Sequence, residues 1–422
     1  MSAALPPRTI DSDAPAAASG TVGLLLTGGG ARAAYQVGVL KSIARIARDC
    51  GAADVNPFQV ITGTSAGAIN AAALACQADH FQGAVLEIAD VWRHMHAAQV
   101  YRADSLSMIR TGAPWLTMMS IGWAVNRWRR IKPKSLLDNS PLQALLHRLV
   151  QFERLPMLMA QGHLRALAVT ASSYSSGQHV TFYECEDDLP PWTRSQRIAV
   201  RATLSTQHLL ASAAIPFVFP AVNLPLVDDT EWFGDGSMRQ AAPISPAVHL
   251  GAERVLIIGA GRMHEPPGRR TESNGYPSVA QIAGHALSNI FLDALAVDIE
   301  RLQRINATLR LLSPEARART PLRPIEALVI SPSQRLDDLA AQHIDALPVA
   351  VRTLLRAVGV SGQGVMARGG ALASYLLFES DYTKALMALG VADTQARRQD
   401  VIDFFGWRSA LGQNTARQLA SA

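Results

Sequence analysis

The chain of 422 residues has almost no lysine: Lys41, Lys132, Lys134 and Lys384 are all there is, so arginine carries the positive charge. Basic residues number 39 against 34 acidic ones, a net charge of +5, with an isoelectric point near 9.3. That balance permits a mild attraction to anionic membrane surfaces. No arginine and aromatic stripe of a nucleic-acid module accompanies it, so nucleic acid is not an expected partner. Cysteine is scarce as well. Cys50, Cys76 and Cys185 stand far apart with no Cys-x-x-Cys pair, which argues against a disulfide framework or zinc site and fits a reducing cytoplasm. No apolar run reaches the roughly 18 residues of a spanning helix. Residues 1–20, rich in Ala and Pro with Asp11 and Asp13, lack the apolar centre of a secretory signal and read as a disordered tail. No calcium loop of the EF-hand kind occurs, so neither metal nor cofactor is expected.

What is present points to a globular enzyme. Hydrophobic residues make up 49% and charged ones 17%, enough for a large core, and the length favours one large α/β domain with additions, or two domains. The organising stretch is Phe58–Asn70, where apolar Val60 and Ile61 lead into Gly63-Thr64-Ser65-Ala66-Gly67 and a small-residue run follows. Strand, sharp turn and helix in that order form a nucleophile elbow. Gly63 and Gly67 let strand and helix approach while Ser65 is held at the apex with its oxygen exposed.

An earlier strand, Val22–Leu26, runs into Thr27-Gly28-Gly29-Gly30-Ala31-Arg32-Ala33, and a helix follows with Val37, Leu40, Ile43 and Ala47 at helical spacing. A glycine loop entering a helix aims backbone N–H groups at one point. Two uses are open. The amides of Gly28, Gly29 and Gly30 can form an oxyanion hole for an intermediate at Ser65, with Arg32 holding the loop or assisting the oxyanion. Alternatively, Gly28-x-Gly30-x-x-Ala33 satisfies a dinucleotide fingerprint. That fingerprint wants an acidic residue closing the second strand, whereas this strand ends in Gly63-Thr64-Ser65 and Asp54 precedes it.

Gly-Gly-Gly-x-Arg followed by Gly-x-Ser-x-Gly resembles the patatin-like phospholipases, a family of serine acyl hydrolases. The block Ala211-Ser212-Ala213-Ala214-Ile215-Pro216 and then Asp235-Gly236 extend the resemblance in order to about residue 243. It implies a three-layer α/β/α fold with a central, largely parallel sheet. It also implies a Ser-Asp dyad without histidine, Ser65 as nucleophile and Asp235 as proton acceptor, acting on phospholipid or another lipid ester. A buried carboxylate with a raised pKa can serve as that base, and Trp232 and Phe233 are candidates for its apolar surroundings. Two positions depart from the pattern: Ala33 stands where the family usually has glycine and Ser237 where it usually has Gly or Ala, and the Ser237 hydroxyl could lower the basicity of Asp235.

Rivals remain. Asp228 and Asp229 compete with Asp235, and a Ser-His-Asp triad of α/β-hydrolase order would draw on His249, His264, His285 or His343. Between the elbow and Asp235, Leu164–Ala171 and Gln178–Tyr183 read as strands, and Ser140 as the N-cap of a helix with Pro141 at its first position. The insert near residues 100–135 reads as a cap or lid. Its Trp115, Trp123, Trp128, Arg129 and Arg130 suit peripheral contact with the inner face of a membrane. Residues 21–333 thus read as the catalytic domain and 334–422 as a helical C-terminal extension, available for oligomer assembly and without evident chemistry. A long helix from Gln281 is expected to pack Leu287, Phe291, Leu295, Ile299 and Leu302 on the sheet.

Overall fold

The computed structural model describes residues 20–53, 55–102, 135–226, 229–262, 279–357 and 370–407. The N-terminal tail, the cap insert with Trp115, Trp123, Trp128, Arg129 and Arg130, and Asp54, Asp228 and His264 lie outside the described residues, as do the side chains of Leu287 and Phe291.

Among the described residues ten strands form one sheet: β1 (Val22–Leu26), β2 (Val60–Thr64), β3 (Ala166–Ser173), β4 (His179–Cys185), β5 (Thr193–Arg194), β6 (Arg197–Arg201), β7 (Val222–Leu226), β8 (Asp229–Asp235), β9 (Arg254–Ile258) and β10 (Glu326–Ile330). The order β10-β9-β1-β2-β3 is parallel throughout. Beyond β3 the sheet is mixed, with β4 antiparallel to β3 and β6 parallel to β4. The central parallel strands β1 and β9 are short, largely apolar runs because both faces are covered. Alternate residues separate accordingly: Leu24 and Leu26 join one buried cluster, Leu25 the other.

Helices α1 (Ala34–Asp49), α2 (Ala66–Ala75), α3 (Phe81–Arg93) and α4 (Ser140–Leu149) contribute to the first cluster. The second cluster takes Ala247 from α5 (Ser245–His249) and Leu295 and Ile299 from α6 (Val279–Leu311), so the architecture has three layers. Near the start of α4 the expectation shifts by one residue: Asn139 is the N-cap and Ser140 opens the helix, its N–H donating to Asp138 Oδ1 at 2.8 Å. After β10 come α7 (Leu336–Ala341), α8 (Gly370–Leu376) and α9 (Ser380–Ala396). Leu377, Phe378, Tyr382, Leu386 and Met387 belong to the first cluster, so this region shares the core of the sheet. Among the described residues no helix is long and apolar enough to cross a membrane.

One feature of the sheet brings distant residues together. β2 pairs with β3 in parallel as far as Thr64 opposite Thr170, then leaves the sheet at Ser65. β8 approaches along the same edge of β3 from the other direction, antiparallel, and its last residue Asp235 sits opposite Ala171. The two strands meet end to end because Thr170 and Ala171 are consecutive.

Candidate active site

Ser65 stands between β2 and α2 with φ 55° and ψ −132°, a conformation that side-chain-bearing residues rarely adopt. Close approach around it enforces that turn. A Cβ on Gly67 would lie 2.4 Å from the Thr27 carbonyl oxygen, so only glycine lets the start of α2 rest on the end of β1. The strained backbone is held by hydrogen bonds. Ser65 N–H donates to Ser212 Oγ at 2.8 Å, and the Ser212 hydroxyl donates to the Thr170 carbonyl at 2.6 Å. Beside them Gln240 Nε2 donates to Thr64 Oγ1 at 2.8 Å, and the Thr64 and Thr170 hydroxyls are 2.6 Å apart.

Ser65 Oγ donates to Asp235 Oδ2 at 2.6 Å, and Ser237 N–H donates to the other carboxylate oxygen at 2.9 Å. Asp235 is 0% exposed. Burial pushes its carboxyl up to about 6, against the lowering pull of the bonds from Ser65 and Ser237. The backbone N–H of Ser237 supplies the directed bond, and its buried hydroxyl lowers the carboxyl a little further, in the direction the sequence suggested. A Cβ on Gly236 would fall 2.2 Å from the Thr170 carbonyl oxygen, and its absence lets the Asp235 turn lie against β3. Phe233 is fully buried two residues before Asp235, packed edge-on against Phe182 at 5.4 Å. Trp232 is instead 52% exposed, because strand neighbours point to opposite faces. The expectation that it desolvates Asp235 is therefore corrected.

From Ser65 a narrow cleft runs between Ile69, Trp92, Leu145, Leu149, Phe219 and Phe378, with Gly30 also on its wall. Apart from Ser65 and the Trp92 indole, its lining side chains are hydrocarbon or sulfur. The indole is turned away from solvent, its N–H donating to Asn70 Oδ1 at 2.8 Å. Such a lining receives an apolar chain and places its polar end at the serine.

The glycine loop lies beside the elbow because β1 and β2 are neighbours in parallel, with Leu26 opposite Gly63. The N–H groups of Gly28, Gly29 and Gly30 have no backbone acceptor among the described residues. Arg32 is buried, not on the surface, and its side chain points to the C-terminal helices, where it bonds Ser374 and Asp337. Of the roles expected for it, holding the loop matches that placement; assisting the oxyanion through its charge does not.

Among the described residues, none of the histidines considered for a triad is seen bonding to Ser65 or Asp235. His249 Nδ1 contacts the Ser245 carbonyl at 2.8 Å and its ring stacks on Trp192 at 4.8 Å. His285 is exposed, and His343 packs near Tyr382 at 6.0 Å. Asp229, at the start of β8, is exposed six residues from Asp235. Among the described residues no group of three metal-ligating side chains converges. Ser212 escaped the sequence reading: it was visible only as part of a block, and its role depends on a contact across 147 residues.

The family model described as patatin-like phospholipase matches residues 24–248, just over half of the chain. Among solved structures the chain is similar to human GIVD cytosolic phospholipase A2, with 10% identity, a TM-score of 0.43, and coverage of 92% of this chain and 61% of that one. It is also similar to VipD from Legionella pneumophila, at 12% identity and a TM-score of 0.31 over 88% of this chain and 67% of that one. The type III effector ExoU gives 15% identity and a TM-score of 0.27 over 92% and 88%. The chain therefore spans less than two thirds of the human phospholipase. No curated protein matches.

Proposed function

The chain belongs to the patatin-like phospholipase family, and on that premise we propose that it hydrolyses a lipid ester, of phospholipase A or lysophospholipase type, through Ser65 and Asp235. The observation that carries the proposal is the 2.6 Å bond from Ser65 Oγ to a wholly buried Asp235 at the end of an apolar cleft.

The chemistry proceeds in two balanced halves. Ser65 gives its proton to Asp235 as Oγ attacks the ester carbonyl carbon, and the amides of Gly28, Gly29 and Gly30 stabilise the oxyanion. Collapse of the tetrahedral intermediate breaks the bond to the alcohol, which leaves with the proton from Asp235. A water then repeats the sequence: it loses a proton to Asp235, attacks the acyl-enzyme, and frees the acid as Ser65 regains its proton. A base near neutrality suits this work, and a carboxyl held at about 6 meets it.

The rival uses of the same residues have less support. In the triad reading a histidine would stand between serine and acid, but here the two bond directly. In the dinucleotide reading the glycine loop would need open space for a pyrophosphate, but the Tyr375 carbonyl is packed against Gly30. The Trp115–Arg130 segment, outside the described residues, remains the part of the proposal that would bring the site to an anionic lipid surface.

The test is turnover of a medium-chain p-nitrophenyl ester and a phospholipid panel by wild type, Ser65→Ala and Asp235→Asn, each checked for folding. Loss of turnover in both variants is expected. Full activity in Ser65→Ala, or a wild type inert on every ester, refutes the proposal.

A further inference from the structure

The glycine loop is held from a part of the chain beyond the family match. Arg32 Nε donates to Ser374 Oγ at 2.8 Å, and a terminal nitrogen donates to the Asp337 carboxylate and, at 3.4 Å, to the Ala371 carbonyl. The guanidinium lies 4.0 Å over the Tyr375 ring. The Arg32 side chain is only 3% exposed, so its charge depends on Asp337 for neutralisation.

This grip reaches the loop directly. Arg32 N–H donates to the Gly29 carbonyl at 3.1 Å, which joins the anchored residue to the loop through one hydrogen bond. Gly30 has φ +54°, and a Cβ there would lie 2.3 Å from the Tyr375 carbonyl oxygen. α8 therefore touches the loop twice, through the Arg32 side chain and through the Gly30 backbone. The same region supplies Phe378 to the cleft, where it stacks on Trp92 at 6.3 Å. Tyr101 ties it down further, donating to the Leu376 carbonyl at 2.9 Å.

We propose that Asp337, with Ser374, is a positioning residue for acyl transfer: through Arg32 it sets where the Gly28–Gly30 amides point, making Asp337 and α8 part of the working site. The inference rests on the reading of Ser65 as nucleophile and of the loop as oxyanion hole. Its physical basis is the tight tolerance of such a hole. Donors must meet the developing oxyanion, and a displacement of about 1 Å lowers the rate by roughly 100-fold.

The experiment uses the full chain as wild type, Asp337→Asn, Asp337→Glu and Ser374→Ala. It measures kcat and KM on a short p-nitrophenyl ester well below the thermal midpoint, the rate of Ser65 phosphonylation by a fluorophosphonate read by mass spectrometry, and the midpoint itself. Asp337→Asn should lower kcat by about 10- to 100-fold with KM little changed, and slow phosphonylation by a similar factor. Asp337→Glu should recover most of the loss, and Ser374→Ala should show a smaller fall. A residue that only packs would lower the midpoint and leave both rates at the wild-type level; that result overturns the inference. Should Asp337→Asn fail to fold, unchanged rates in folded Ser374→Ala overturn it equally. A wild type not phosphonylated at Ser65 overturns the hydrolase reading and this inference together, whereas a labelled wild type with unaffected variants overturns this inference alone.

Discussion

Replacing Asp235 by asparagine should abolish turnover and, at alkaline pH, stabilise the protein. The carboxyl titrates at about 6 in the folded protein against 3.8 for the free side chain, because burial penalises the charge. Its folded pKa is raised, so the folded state holds the proton more tightly than the unfolded state. Stability from this group is fully present below pH 3.8 and is lost as pH rises through 6. The full separation corresponds to about 3 kcal/mol at pH 8, shrinking to about 1 kcal/mol at pH 4.5. Asparagine has the same shape and no charge. Its carbonyl can accept from Ser237 N–H and its amide can donate to Ser65 Oγ, so both wild-type contacts keep a partner. Denaturant unfolding of both proteins at the two pH values isolates the effect, since the other titrating groups cancel in the difference. Asp235→Asn should be the more stable by about 3 kcal/mol at pH 8, with most of the gain gone at pH 4.5. The same ionisation should appear in wild-type kcat/KM, which falls below an apparent pKa near 6 as the base becomes protonated. A variant no more stable at pH 8 than at pH 4.5, together with a kinetic pKa near 4, would refute the argument that burial tunes this base.

Three further outcomes are expected. Ser212→Ala leaves the Ser65 N–H buried without its acceptor, which should cost about 1–3 kcal/mol by denaturant unfolding and lower kcat by about 10-fold with little change in KM. Gly30→Ala places a methyl group against the Tyr375 carbonyl at positive φ; it should lower the thermal midpoint and slow turnover far more than Gly51→Ala, where a Cβ meets nothing within 4 Å. Ile69→Trp fills the cleft one turn of α2 beyond Ser65, and should cut the ratio of kcat/KM for a dodecanoyl over a butyryl ester by at least about 10-fold.

What the sequence determines by itself are the local pieces of this site. Short apolar runs specify β1 and β2, and glycine spacing specifies the loop after the first and the elbow after the second, because those preferences act over a few neighbouring residues. Gly28–Gly30 and Ser65 could therefore be named from pattern alone, whereas Asp235 needed the family resemblance, since an Asp-Gly pair is common in turns. Tertiary structure decided the rest. Asp235 meets Ser65 because β2 and β8 end against consecutive residues of one edge of β3, and strand pairing of that range leaves no mark in either segment. It also turned Trp232 outward, and it sent Arg32 across 305 residues to Asp337. Ser212 and Ser374 look like ordinary helical serines until packing buries them beside a backbone amide or a guanidinium. Burial itself raises the Asp235 carboxyl, and burial belongs to the folded chain rather than to any stretch of it.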